Sequence, residues 1–127
     1  MDLTPGMTAR VERTVGESDT AAALGSGDVD VLGTPAVVAL CEAAAVKAVV
    51  QALDPGRTSV GTGIHLDHLA PTPVGAVVVA RAELIEVDGR ALHFTVAASD
   101  HAGDVAGGTH TRVVVDRAKF VDRAAAR

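Results

Sequence analysis

Three side chains able to do acid–base or acyl chemistry stand out along this chain, and the most telling is Glu42. It lies in the middle of an apolar run from Thr34 to Leu53 that is otherwise almost all Ala, Val and Leu. Wound as a helix, the run gives Glu42 the neighbours Val38, Ala39, Ala45 and Val46 one turn away, so the carboxylate starts on an apolar face. An unpaired buried carboxylate costs several kcal/mol or gives up its charge, so a residue of this kind has a partner or a task. His68 is the second. In the stretch Gly63 to Ala70, strand alternation places Ile64, Leu66, His68 and Ala70 on one face, with His65 and Asp67 on the other. The third is Thr34, a hydroxyl at the start of the run and directly before Pro35.

A carboxylate, an imidazole and a hydroxyl beside the unpaired N–H groups of a helix start supply what acyl transfer needs. They give a nucleophile or a base for water, a proton carrier, and charge stabilisation for an oxyanion. Each also has a plain structural reading. Thr34 before a proline is a routine helix N-cap, Glu42 can pair with a core arginine or a backbone amide, and His68 can be a satisfied core histidine. No metal site is expected, because a His-x-x-His pair on a strand projects to opposite faces. Cys41 reads as a small core residue rather than a nucleophile, since apolar surroundings raise a thiol's pKa.

The elements that must position these groups follow from periodicity. Residues 6–15 suit an edge strand, and 16–33, rich in Gly, Ser and Asp, read as a mobile loop or lid. A long helix then runs from Thr34 to Leu53 and is stopped by Asp54-Pro55-Gly56. Alternation takes over after Arg57, with strands at about 58–70, 74–87, 90–100 and 105–118. Asp88-Gly89 gives a two-residue hairpin signal between the second and third of these. A charged tail, 119–127, closes the chain.

The whole is a single α+β domain, and this order, with a helix too apolar to face water, is that of the hot-dog fold, an antiparallel sheet wrapped around one long central helix. Lys47 and Gln51 mark the wet side of the helix, and Glu42 lies about 140° from Lys47 at 100° per residue. Gly61 reads as a sheet bulge. Arg112 shares strand parity with His110 and Val114 and could contact a phosphate, or be a solvated or interface arginine.

Composition narrows the function classes. A net charge of −5, only two aromatic residues and no basic stripe remove nucleic acid as a partner. The apolar run is interrupted by Glu42 and Lys47 and no charged-then-apolar leader is evident at the start, so a cytoplasmic protein without a membrane span is expected. A five-strand sheet with open edges and one helix favours pairing with a second copy.

Thr34, Glu42, the segment Gly61-Thr-Gly-Ile-His-Leu-Asp-His68 with the following Ala70-Pro-Thr-Pro-Val-Gly75, and Gly108-Thr-His-Thr-Arg112 resemble the fluoroacetyl-CoA thioesterase family of single hot-dog proteins. The resemblance runs from about Thr34 to Phe120. It implies a homodimer, with assembly to a tetramer left open, whose active site lies at the subunit interface and takes an acyl-CoA thioester. No cofactor is implied beyond the CoA of the substrate. By that resemblance Glu42 is the nucleophile or the base for water, His68 assists proton transfer and thiolate departure, Thr34 orients the reacting groups, and the Gly61 amide helps bind the thioester oxygen.

Fluoroacetyl-selective members carry large aromatic groups around the acyl pocket and lid, where this chain reads Ala21-Ala22-Ala23-Leu24 and Ala36-Val37-Val38. Fluorine selectivity is therefore not expected. Two other function classes compete. One is an enoyl-thioester hydratase, whose usual Asp-x-x-x-x-His helix signature is missing; the other is a non-catalytic acyl-CoA or small-ligand-binding hot-dog domain.

Overall fold

The computed structural model describes residues 2–127. Its centre is helix α2, Thr34–Val49, built from alanine, leucine and valine, with Pro35 in the first turn where a missing N–H costs nothing. The helix tightens into a 3-10 turn over Val50–Ala52, and the chain reverses through Gly56 at φ +82°, a conformation that a side chain would strain. Its N-cap is Gly33 and not Thr34. A Cβ on Gly33 would come within 3.0 Å of the Ala21 backbone, so the short helix α1, Ala21–Leu24, excludes a side chain at the cap. The expected threonine cap is thus corrected, and the Thr34 hydroxyl is released for another partner.

Five strands form one antiparallel sheet: β1 Thr8–Thr14, β2 Arg57–His68, β3 Val77–Asp88, β4 Ala91–Asp100 and β5 Gly103–Asp116, in the order β1-β3-β4-β5-β2. The sequential strands β1 and β2 lie at opposite edges, and α2 crosses the sheet between them, packing mainly on β3 and β1. The β3–β4 hairpin turns through Gly89-Arg90, one residue later than the Asp-Gly signal, because Asp88 still pairs with Ala91. Strand alternation sends Val78, Ala80, Ala82 and Leu84 of β3, and Leu92, Phe94, Val96 and Ala98 of β4, onto the buried face. They meet Val37, Cys41, Ala44, Ala45 and Val49 of α2. Burying a leucine or phenylalanine fully contributes roughly 1.5–3 kcal/mol, and the alanines let helix and sheet approach closely. A sheet wrapped around one long helix is the hot-dog fold.

Two segments hold more structure than periodicity suggested. Between β1 and α2 lie a 3-10 turn, Glu17–Asp19, helix α1, and bridges from Thr20 to Leu32 and from Val31 to Pro73. After β5 the charged tail winds into helix α3, Arg117–Ala125, capped by the Asp116 side chain accepting from the Lys119 N–H. Its nine residues carry too few apolar positions to show a helical period.

The two sheet edges differ. β1 carries Arg10, Glu12 and Arg13, charges that discourage pairing, whereas Gly61 to His65 of β2 are exposed and lack any charge but His65. Beside β2, the outward side of α2 and of the 3-10 turn after it presents Val38, Glu42, Val46 and Val50 at four-residue spacing, an apolar stripe with one carboxylate in it.

Candidate active site

Glu42 finds its partner on β5. The buried Arg112 guanidinium, 6% exposed, donates from Nη1 to Glu42 Oε2 at 3.2 Å. Arg112 also donates from Nε to Ser59 Oγ at 2.9 Å, from Nη2 to Ser59 O at 3.0 Å and from Nη1 to His110 Nε2 at 3.1 Å. These groups meet because Arg112, His110 and Val114 share the inward parity of β5 and Ser59, buried on the neighbouring strand β2, pairs with Val114. Burial pulls the Arg112 pKa below its ordinary value, with the charge of Glu42 opposing the shift.

Arg112 is therefore an internal partner of Glu42 and not the phosphate contact considered from sequence. Within one chain Glu42 thus takes the core-arginine partner, and His68 pairs with Thr34 instead. Strand parity located His68 on the right face, but it could not say which inward polar residue lies against which part of the helix. Read from sequence, His110 carries no role beyond its parity with Arg112, and that parity is the signal for its place beside the site.

Gly61 sits where the carboxylate ends. A Cβ built on it would stand 2.5 Å from Glu42 Oε2, so only glycine lets the β2 backbone and this carboxylate lie together. The register of β2 against β5 shifts between Gly61 and Gly63, leaving Thr62 as the extra residue of a bulge. His110, 3% exposed, pins that bulge by donating from Nδ1 to Gly63 O at 2.7 Å.

Thr34 and His68 meet at the N-terminal end of the helix, with Thr34 Oγ1 and His68 Nδ1 at 2.8 Å. The second ring nitrogen, Nε2, is buried and has no hydrogen-bond partner among the described residues. Eight residues separate Thr34 from Glu42, roughly 12 Å along the helix axis at 1.5 Å per residue. A single chain thus presents two groups, Glu42 with Gly61 and Thr34 with His68, at different levels of one helix.

The remaining candidates fall away on chemistry. Cys41, one residue from Glu42, is fully buried, and desolvation pushes its thiol up to about 11, leaving it protonated and unreactive. His65 and Asp67 form an exposed pair at 3.6 Å on the strand positions opposite to His68. A cavity of about 420 Å³ on the β1, β3 and β4 strands, lined in part by Arg10, Arg81 and Thr95, contains none of the residues above. Another, of about 410 Å³, lies between α1 and α2 and is lined by Leu24, Pro35, Ala36, Ala39, Leu40 and Ala43 together with Arg13 and Asp19. It borders the N-terminal half of the helix that carries Thr34 and Glu42.

Comparison with known proteins gives a consistent answer. Residues 15–118 match the family described as fluoroacetyl-CoA-specific thioesterase, FlK. A fluoroacetyl-CoA thioesterase of Streptantibioticus cattleyicolor is 42% identical over 91 residues, which make up 72% of this chain and 66% of that protein, just under two thirds of its length. Among solved structures, that of the fluoroacetyl-CoA thioesterase FlK superposes with a TM-score of 0.93 at 32% identity, covering 100% of this chain and 98% of its own. A hot-dog-like protein from Thermanaerovibrio acidaminovorans superposes with a TM-score of 0.88 at 27% identity, covering 98% and 95% of the two chains.

Proposed function

This chain belongs to the fluoroacetyl-CoA-specific thioesterase family, and from that membership we propose that it hydrolyses an acyl-CoA thioester to a carboxylic acid and free CoA. One observation carries the reading. Glu42 is gripped by a buried arginine, yet its side chain remains 40% exposed beside the open β2 edge. A carboxylate serving only as the counter-ion of Arg112 would be covered as Arg112 is.

In this reading Glu42 either attacks the thioester carbon or takes a proton from the water that does. Attack forms the new C–O bond and an oxyanion whose collapse breaks the C–S bond, and the leaving thiolate takes a proton delivered by His68, which the consumed water replaces. Where Glu42 is the nucleophile, water then cleaves the acyl–Glu42 anhydride, releasing the acid and restoring the carboxylate. Thr34 holds His68 through Nδ1, which fixes the ring and directs Nε2 at its target. Glycine at position 61 keeps the backbone side of the site open for the reacting carbonyl, whose developing negative charge the neighbouring amides receive.

The 12 Å rise between Thr34 and Glu42 is bridged by a second copy. Pairing β2 with β2 of the partner about the bulge runs the strands antiparallel, so the His68 end of one chain lies beside the Ser59–Gly61 end of the other. That juxtaposition brings His68 toward the partner's Glu42, covers the apolar stripe Val38, Val46 and Val50, and satisfies the open edge. The active unit is then a homodimer with two composite sites.

The cavity between α1 and α2 receives the acyl group. Its walls are Leu24, Ala36, Ala39 and Ala43, with no aromatic ring to close over a two-carbon acyl chain. Short to medium or aryl acyl groups suit it better than a fluoroacetyl group alone. The reaction needs no cofactor besides the CoA of the substrate, and we place the protein in the cytoplasm.

The test is free-thiol release from a panel of acyl-CoA esters by the wild type and by Glu42→Gln. Turnover that falls at least about a hundredfold in the variant supports the assignment. No turnover of any ester by the wild type would transfer the reading to a non-catalytic ligand-binding domain, in which Glu42 only neutralises Arg112.

A further inference from the structure

We propose that His110 is a positioning residue for this reaction: a buried ring, outside the expected catalytic set, that ties the Glu42 carboxylate and the Gly61 backbone into one unit. The inference rests on the thioesterase reading and assigns a role that neither the Thr34–His68 pair nor the Glu42–Arg112 pair supplies.

The partners of the ring dictate its chemical form. Gly63 O can only accept, so the 2.7 Å contact makes His110 Nδ1 the protonated nitrogen. Arg112 can only donate, so the 3.1 Å contact from Nη1 makes His110 Nε2 the acceptor. The ring is therefore neutral, in the Nδ1–H tautomer, with both nitrogens committed. Glu42 Oε2 lies 3.8 Å from Nε2, outside hydrogen-bond reach, so the link from His110 to the carboxylate runs through Arg112. Phe94 lies beside the ring at a centroid distance of 6.1 Å, tilted by 30°.

Two consequences follow from one ring. Through Gly63 it fixes the bulge that sets where Gly61 lies, and through Arg112 it fixes the direction from which the carboxylate is held. A simple counter-ion pair would need neither. Ser59 already anchors Arg112 through Nε and Nη2, but Nη1, the nitrogen that reaches Glu42, is steadied on its other side only by His110 among the described residues.

The experiment compares His110→Leu, His110→Gln and wild type by thiol release over a substrate range, with circular dichroism, melting temperature and oligomeric state measured in parallel. Leucine keeps the packing on Phe94 and removes both hydrogen bonds. Glutamine can return an acceptor oxygen near the place of Nε2. The expected result is a folded His110→Leu whose kcat drops about ten- to a hundredfold while KM changes less than about threefold, as misplacement by an ångström or so produces. His110→Gln should recover part of the lost kcat. A purely structural role would lower the melting temperature of both variants and leave kcat of the folded fraction unchanged, and that outcome overturns the proposal. Should His110→Leu fail to fold, His110→Gln decides alone: kcat within twofold of wild type overturns it, and a larger fall at unchanged KM supports it. A wild type that cleaves no thioester removes the thioesterase reading and this role together, whereas an active wild type with an unchanged variant removes only the role of His110.

Discussion

Thr34 Oγ1 and His68 Nδ1 lie 2.8 Å apart across thirty-four residues of sequence, joining the first turn of the long helix to the last residue of an edge strand. Gly33 makes this possible by taking over the cap. Were Thr34 the cap, its hydroxyl would be turned to the helix N–H groups and His68 would lose its anchor.

Thr34→Ala separates structure from chemistry for that reason. Since Gly33 caps the helix, the substitution should change stability by less than about 0.5 kcal/mol, as surface changes away from caps do. Loss of the hold on His68 should lower kcat by about tenfold or more, within the range that a positioned acid–base group contributes. Thermal unfolding and steady-state thiol release together check it. A loss of stability near 1 kcal/mol with kcat intact would restore the simple capping role.

Gly61→Ala places a methyl 2.5 Å from Glu42 Oε2 and 3.3 Å from both Arg112 Nη1 and His110 Cε1. The carboxylate is the tip of a flexible side chain on a half-exposed residue, so it can move aside at a cost of about 1 kcal/mol or less. What it cannot do is stay in line with the bulge. Activity should fall far more steeply than melting temperature, and a variant with wild-type kcat would show that the closeness of Gly61 and Glu42 is incidental.

Ile64→Lys tests the composite site. Ile64 is 36% exposed on the sparsely charged β2 edge, and a lysine there should disfavour pairing of two such edges. If two copies pair through β2 as proposed, light scattering should show a dimer for the wild type and a monomer for the variant, with the variant's turnover falling as protein is diluted. A monomeric variant that retains full turnover would place all catalytic groups in one chain.

Stability should decline in acid through two carboxylates away from the site. Arg13, donating to Asp19 from Nε at 3.0 Å, and the Gly16 N–H hold the Asp19 carboxyl below the usual range. The Thr72 hydroxyl and the Ala102 N–H do the same for Asp100. A depressed folded-state pKa means the folded chain prefers the charged form more than the unfolded chain does. The contribution is therefore complete above the unfolded value of about 3.9 and is lost as pH falls through the lower folded value. Melting temperature should be flat near neutrality and fall below about pH 4. Asp19→Asn should cost about 1 kcal/mol at neutral pH, a figure reduced for the exposure of Arg13, and should flatten part of the acid slope.

Much of the fold was legible because its signals are local. Alternating Val and Thr between Gly and Pro punctuation set the strands, and the apolar run behind Pro35 set the helix; each needs only the residues beside it in sequence. Helix α1, four residues long, and α3, with two large apolar residues, offered too little period to register. The hairpin turn moved by one position because pairing of Asp88 with Ala91 extends β3 past the local turn signal.

Sequence by itself determined the chemical inventory: a carboxylate on an apolar helix, a histidine on the inward face of an edge strand, a hydroxyl at the helix start, and the family that carries all three. Which of these touch was left to the tertiary structure. Parity assigns a residue to a face, but the register between β2 and β5 and the crossing of α2 over the sheet decide which levels of the face meet. Those relations gave Glu42 to Arg112, gave Thr34 to His68, and put His110 between the bulge and the arginine. Contacts across 70 residues of chain, as between Glu42 and Arg112, depend on the packing of every element in between, and no local pattern encodes them.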